Sequence, residues 1–577
     1  MNHKITIYQL MPRLFGNKNQ HCTFNGTIEE NGCGKFEDIS TQAISAIRDL
    51  GITHIWYTGI VRHGTMTNYE KYGIPAHYPA LVKGRAGSPF AICDYYDVDP
   101  DLAVDVPNRM SEFEALVNRT HQAGLKVIID MVPNHVFRQY KSVARPFDVA
   151  DFGAYDQTSL PFDPHNDFYY IPDEKFVLPG DIPWFDLIKN ELPAKPYHEF
   201  PARATGNDQF TARPTATDWY ETVKLNYGID FQNNRAKRFN PIPSTWKMMF
   251  EIMIYWAKKG VDGFRCDMAE MVPVEFWQWV IAKIKKEYPD VIFLAESYNP
   301  FEYHNFIKTG GFDFLYDKVG MYDTLHNIIR NNGSTRALSN CWQALEGLDA
   351  HMLRFLENHD EVRIASPHFA GNPYAAIPAM TVAACMNKGP VLIWSGQEVG
   401  EPALGASGFS GDDGKTTIFD YYHVPELQKW INEGKFDGSG LSDEQLRTRQ
   451  FYQKLLHFSL NNEAISQGQF YDLMWVNTHE TLDCRDKIYA WLRYTANQKM
   501  LFVVSFDQQR EHKIRLRIPD HAFFESGFNT SQRFLAEEIL WNRQKTEFTR
   551  EAAMSCGIEM TLEPNGVLIF TLEAIHE

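Results

Sequence analysis

The segment GVDGFRCDMAE, residues 260–270, decides the fold. Its centre, VDGFRCD (261–267), is a short run that ends on a carboxylate, Asp267, and reads as a buried strand. Before it, PSTWKMMFEIMIYWAKKG (243–260) has helical spacing, and after it VEFWQWVIAKIKKEY (274–288) has it again. Helix, strand, helix is the repeating unit of a parallel sheet with helices outside it.

The same beat extends outward in both directions. Strands are expected at 5–10, 52–60, 126–132, 291–297, 312–317, 352–360 and 389–398, with helices at 41–51, 110–125 and 447–465. Gly51 is placed as a helix C-cap, and Ser111 and Glu114 have the spacing of a capping box. Eight such strands close naturally into a (β/α)8 barrel. The fold class expected is therefore α/β, a TIM barrel with an insertion domain after strand 3 and a C-terminal all-β sandwich. The barrel takes residues 1–133 and 229–465. Residues 134–228, rich in Pro, Asp and aromatics and without a helical beat, form the insertion, which topology places on the catalytic face. After a Gly- and Asp-rich loop at 401–440, period-two strands begin near 470. Turn signals at Asn497-Gln498 and Pro564-Asn565-Gly566 mark 470–577 as the sandwich.

Bulk properties narrow the partners. A net charge of −17 argues against nucleic acid, which demands a basic face, and suits a neutral substrate. The 14% aromatic content mainly furnishes a large core, with some rings left to stack on sugar faces. No apolar run of about 18 residues exists, so no membrane-spanning helix is expected. The opening MNHKITIYQLMPRLFG lacks the layout of a secretory leader, which makes cytoplasm the expected location. The eight cysteines contain no CxxC and are expected reduced, Cys22 and Cys33 being the nearest candidates for a pair. No zinc spacing and no phosphate-binding glycine loop follows a strand, so no cofactor is required.

The chemistry gathers at strand ends. Asp267, Glu296 and Asp360 each follow a short apolar run, and the C-terminal rim of a barrel is where such enzymes place their reacting groups. Breaking an acetal with retention takes a nucleophilic carboxylate about 5–5.5 Å from a protonated acid. Arg265, two residues before Asp267, points the same way on a strand and would keep that carboxylate ionised.

Four segments carry a family likeness in the right order: DMVPNH (130–135), GFRCDMAE (263–270), LAES (294–297) and ENHD (357–360). Together the set resembles the α-amylase family, glycoside hydrolase family 13, over about residues 5–400, and the β-sandwich resembles that family's C-terminal domain. The resemblance implies Asp267 as nucleophile, Glu296 as general acid and Asp360 as stabiliser of the transition state. It implies that His135 and His359 hydrogen-bond the sugar beside the scissile bond, with Asp130 and Asn134 supporting the site. It also implies Asn134 as a calcium ligand, making calcium a candidate ion. Two departures stand out. Phe90, in GSPFAICDYY, occupies the place of a Tyr that stacks on the sugar, and GSPFAI is similar to maltosyl-transferring relatives. Glu270-Met271 stands where the family often has Lys-His, which places Glu270 near the acceptor subsite.

The function expected is a retaining hydrolase of α-1,4 bonds in maltooligosaccharides or starch-derived glucans. The alternative is an α-glucan glycosyl- or maltosyltransferase using the same covalent intermediate. A third reading, an inactive glycan-binding relative, should lack one of the three carboxylates. Chain-length preference, endo or exo action and oligomeric state are left open.

Overall fold

A computed structural model describes residues 4–406, 408–482, 484–528, 530–541 and 543–575; Ser407 of the predicted 401–440 loop lies outside them. Eight parallel strands form the centre: β1 (Thr6–Leu10), β2 (His54–Tyr57), β3 (Lys126–Met131), β4 (Gly263–Cys266), β5 (Ile292–Ala295), β6 (Phe314–Tyr316), β7 (Met352–Phe355) and β8 (Val391–Trp394). They close in the order β1-β8-β7-β6-β5-β4-β3-β2. All eight strands read from sequence are present.

Alternation along each strand divides the core in two. Ile7, Trp56, Ile128, Ile292, Leu294, Leu353 and Leu392 pack together inside the barrel. Phe264, Cys266, Phe293 and Ala295 turn outward to the helices. The register aligns Arg265 with Asp130 on one side and Leu294 on the other. Since i and i+2 share a face, Asp267 and Glu296 stand one layer above, on the rim.

Several boundaries differ from the sequence reading, mostly at strand ends. The run expected at 352–360 leaves the sheet after Phe355, so Asp360 sits on a loop above β7. The run at 389–398 leaves after Trp394 and continues as a 3-10 turn, Gln397–Val399. The helix expected from 110 starts at Arg109 with Asn108 as N-cap, so Ser111 and Glu114 form no capping box. Glu112 instead accepts from the Val104 and Asp105 amides at 2.9 and 2.7 Å, and Glu114 pairs with Lys259. The helix before Gly51 ends at Arg48 with Asp49 as its C-cap, two residues short of that glycine. The last barrel helix runs Asp443–Asn461, opened by a true capping box between Ser442 and Gln445. Cys22 and Cys33 are not joined: Cys22 Sγ meets His423, and Cys33 donates to the Asp101 carbonyl.

Between β3 and the helix Ser244–Lys258, the chain makes three short antiparallel pairs, His135–Phe137 with Thr222–Lys224, Tyr170–Ile171 with Ala202–Arg203, and Ile229–Asp230 with Ala236–Lys237, and one helical turn at Phe185–Ile188 that continues as a 3-10 turn, Lys189–Glu191. Arg138 knits this region, fully buried, giving hydrogen bonds to Glu199 and to the Tyr220 and Thr222 carbonyls.

The C-terminal domain contains β9 (Gln469–Asp472), β10 (Ile488–Tyr494), β11 (Lys499–Ser505), β12 (His512–Leu516), β13 (Arg533–Glu538), β14 (Lys545–Thr549), β15 (Ile558–Leu562) and β16 (Val567–Ala574). Six form an antiparallel sheet, β9-β10-β11-β16-β13-β14, and β12 pairs with β15 in a second. Arg493 on β10 joins this domain to the barrel by donating to four carbonyls, those of Ala464, Ile465, Gly468 and Met386. Among the described residues no helix is long and apolar enough to cross a membrane.

Candidate active site

One guanidinium organises the rim. Arg265, fully buried inside the barrel, contacts Asp267 Oδ1 at 2.9 Å through Nη1 and Glu296 Oε1 at 2.8 Å through Nη2. Its Nη1 also lies 3.7 Å from Asp130, and its Nε donates to the Tyr316 hydroxyl at 3.1 Å. The rings of Trp56, Phe90 and Tyr316 surround it at 5.3–5.5 Å. Two rim carboxylates contacted by neighbouring nitrogens of one group are held close together.

The backbone helps to aim the second acid. Met268, directly after Asp267, adopts a left-handed conformation with φ +43°, a rare state for a side chain of its size. That twist turns its amide toward Glu296, which accepts at 2.7 Å. The Tyr298 hydroxyl donates to the other oxygen of Glu296 at 2.6 Å. Glu296 therefore accepts from two donors beside its ion-pair contact with Arg265, while Asp267 Oδ2 has no hydrogen-bond partner.

Asp360 completes the group from β7's loop. His359 is held by the Gln9 amide at its Nδ1, 2.8 Å away, which leaves the proton on Nε2 facing Asp360 at 2.9 Å. Phe90 lies against the His359 ring at 5.0 Å. Arg363 is not the partner of Asp360; it is committed to Glu357 at 2.9 Å.

The charges interact strongly. Burial and the adjoining Glu296 carboxylate push Asp267 well above the ordinary carboxylate range, with Arg265 pulling the other way. This corrects the expectation that Arg265 simply keeps Asp267 ionised. One positive charge is divided among three carboxylates, so it cannot offset the repulsion between them. Asp360 goes the opposite way: although burial opposes it, His359 and then Arg265 hold its carboxyl down at about 2. Burial pushes Asp130 up against the pull of Arg265, while the Gly59 amide donates to its Oδ2 at 3.2 Å. Burial also lowers His135 to about 3, so that imidazole is neutral.

The remaining sequence candidates fall on both sides of the mouth. His135 packs against Trp219 of the insertion with the ring centres 5.3 Å apart and the planes tilted by 60°. Asn134 is fully buried; its Nδ2 donates to the Gly206 carbonyl at 2.8 Å and its Oδ1 accepts from the Lys224 ammonium. Glu270 holds the chain after β5, its Oε2 accepting from the Tyr298 and Asn299 amides at 2.9 and 3.0 Å and from Ser297 Oγ at 3.3 Å. Gln9, Tyr298, Tyr316 and Lys224 were missed by the sequence reading. Tyr298 alone carried a usable local signal, lying two residues past Glu296; the others come from distant strands.

A parallel eight-stranded barrel with three carboxylates on its C-terminal rim, followed by an antiparallel β domain, defines a class of glycan-processing barrel enzyme. The chain matches the family model of the α-amylase catalytic domain over residues 9–418 and that of the α-amylase C-terminal all-β domain over 475–573. It belongs to the α-amylase family, whose members are glycoside hydrolases. It is 23% identical over 401 residues to alpha-amylase 3 of Dictyoglomus thermophilum, covering 66% of this chain and 68% of that one. A shorter match, 34% identical over 91 residues, is to the alpha-1,4-glucan:maltose-1-phosphate maltosyltransferase of Rhodospirillum rubrum, covering 14% of this chain and 13% of the relative. The fold is similar to that of a maltogenic α-amylase from Thermotoga neapolitana, with a TM-score of 0.60 at 18% identity and full coverage of both chains.

Proposed function

We propose that the protein is a retaining enzyme that cleaves α-1,4-glucosidic bonds in maltooligosaccharides or starch-derived glucans. The observation that carries this reading is the shared guanidinium: Arg265 binds Asp267 and Glu296 at once, which suits the close carboxyl pair of a retaining mechanism. Asp267, whose Oδ2 is uncommitted, attacks the anomeric carbon as the glycosidic C–O bond breaks. Glu296 gives its proton to the leaving oxygen. The glycosyl–Asp267 ester is then cleaved by water, which loses a proton to Glu296 and restores both groups. In the free site the two acids are close enough to titrate as a pair, and the attacking state is the one in which Asp267 is ionised and Glu296 holds the proton. Asp360 stays anionic throughout and faces the positive charge that develops on the sugar. His359, His135 and Phe90 line the same mouth and would hold the sugar ring.

A second reading has an observation of its own, the local likeness to maltosyltransferases. There a sugar hydroxyl replaces water as the acceptor, with the same ester.

Proton NMR of maltoheptaose cleavage tests the main reading. The α-anomer should appear first, and products longer than the substrate would favour the transferase. First release of the β-anomer would sink retention. Asp267→Asn and Glu296→Gln should each lower kcat by about 10^4 or more; all three carboxylates stand in place, which disfavours an inactive binding module.

A further inference from the structure

Three oxygens from three separate parts of the chain converge on one ammonium. Lys224, at the insertion's return to the barrel, has a side chain only 3% exposed. Its Nζ donates to Asn134 Oδ1, just past β3. It pairs with Asp208 Oδ1 of the insertion at 2.7 Å and reaches the main-chain oxygen of Met271, four residues beyond Asp267, at 3.4 Å. The orientation of the Asn134 amide is settled by its other end, which donates to Gly206.

A side-chain amide oxygen, a carboxylate and a peptide carbonyl are the donor types that calcium uses, and Asn134 is the residue at which the family resemblance placed that ion. The residues present do not fit it. Calcium takes six to eight oxygens at about 2.3–2.6 Å, and a fixed ammonium in the middle of the set repels it. Among the described residues no group of three or more His, Cys, Asp and Glu is arranged to hold a metal.

We infer that Lys224 is a built-in substitute for a calcium ion, a positioning residue that ties the insertion and the end of β3 to the loop behind Asp267 and makes calcium unnecessary there. A covalently attached charge cannot be lost by dilution or chelation. Its cost is the burial of an ammonium, which Asp208 offsets by direct contact.

Thermal melts of the purified full chain in excess EDTA and in millimolar calcium chloride, with calcium content measured by elemental analysis, test this. The wild-type Tm should agree between the two within about 1 °C, because an unbound ion adds no linkage. Lys224→Ala should melt about 5 °C lower in EDTA, and calcium should recover part of both its Tm and its turnover by occupying the vacated oxygens. Lys224→Met, which fills the space without charge, should melt lower and gain nothing from calcium. About one calcium per wild-type chain, a wild-type Tm that falls in EDTA, or a Lys224→Ala protein as stable as wild type would overturn the inference. If neither variant folds, the wild-type melts and calcium content decide alone. None of these Tm readings requires glucan turnover, so their failure is distinguishable from failure of the proposed reaction.

Discussion

Arg363 and Glu357 form an ion pair at 2.9 Å, with 0% and 1% of their side chains exposed. The second oxygen of Glu357 accepts from the Ile364 amide at 2.7 Å, and Arg363 spends its other nitrogens on Thr416 Oγ1 and the Ser395 carbonyl. This pair frames the loop that carries Asp360 and leaves that carboxylate to His359. Removing one partner strands a buried charge. Glu357→Ala should therefore cost about 3–5 kcal/mol in urea unfolding, and Glu357→Gln somewhat less, because its single amide oxygen still accepts one of the two hydrogen bonds. Equal losses for the two variants would mean that the stranded charge accounts for the whole effect and the remaining hydrogen bond adds nothing.

The raised Asp267 has a consequence for stability. Its folded form holds the proton to higher pH than the unfolded chain does, so the wild type loses stability as pH rises above the ordinary carboxylate range. Asp267→Asn carries no such charge. Its Tm advantage over wild type should be near zero at acid pH, below the unfolded carboxyl's range, and widen toward neutrality. A Tm difference that stays flat or narrows with pH would contradict the raised value.

Phe90 touches both organisers of the site, lying 5.3 Å from the Arg265 guanidinium and 5.0 Å from the His359 ring. Phe90→Ala should lower kcat/KM about ten- to a hundredfold through lost stacking and a looser His359. Phe90→Tyr should retain most of the activity, because the ring face is preserved. Steady-state kinetics on maltoheptaose separates the two.

Arg493 satisfies four carbonyls at the junction of barrel and β domain while only 2% exposed. Arg493→Met keeps much of the stem but leaves those oxygens unpaired. The expected loss is about 3–5 kcal/mol, read as an earlier unfolding step of the C-terminal domain by limited proteolysis during a urea series. A single unshifted transition would show that the junction is held by other contacts.

The sequence by itself determined the eight-strand alternation, the change to period two near 470 and the three rim carboxylates, since each is a local pattern of polarity and spacing. Strand ends were read too long at 352–360 and 389–398, because burial continues past the last ladder hydrogen bond and apolar content cannot register that change. Tertiary structure alone decided the electrostatics. Arg265 sits two residues from Asp267 in sequence, yet burial first, and then the carboxylates of Glu296 and Asp130 that arrive on other strands, outweigh it and reverse the expected shift. Likewise Arg363 is three residues from Asp360 but binds Glu357, and the oxygens of Asn134, Asp208 and Met271 meet at Lys224 only after the barrel closes. Strand periodicity is written along the chain; the sum of charges around one atom depends on distances that no linear spacing contains.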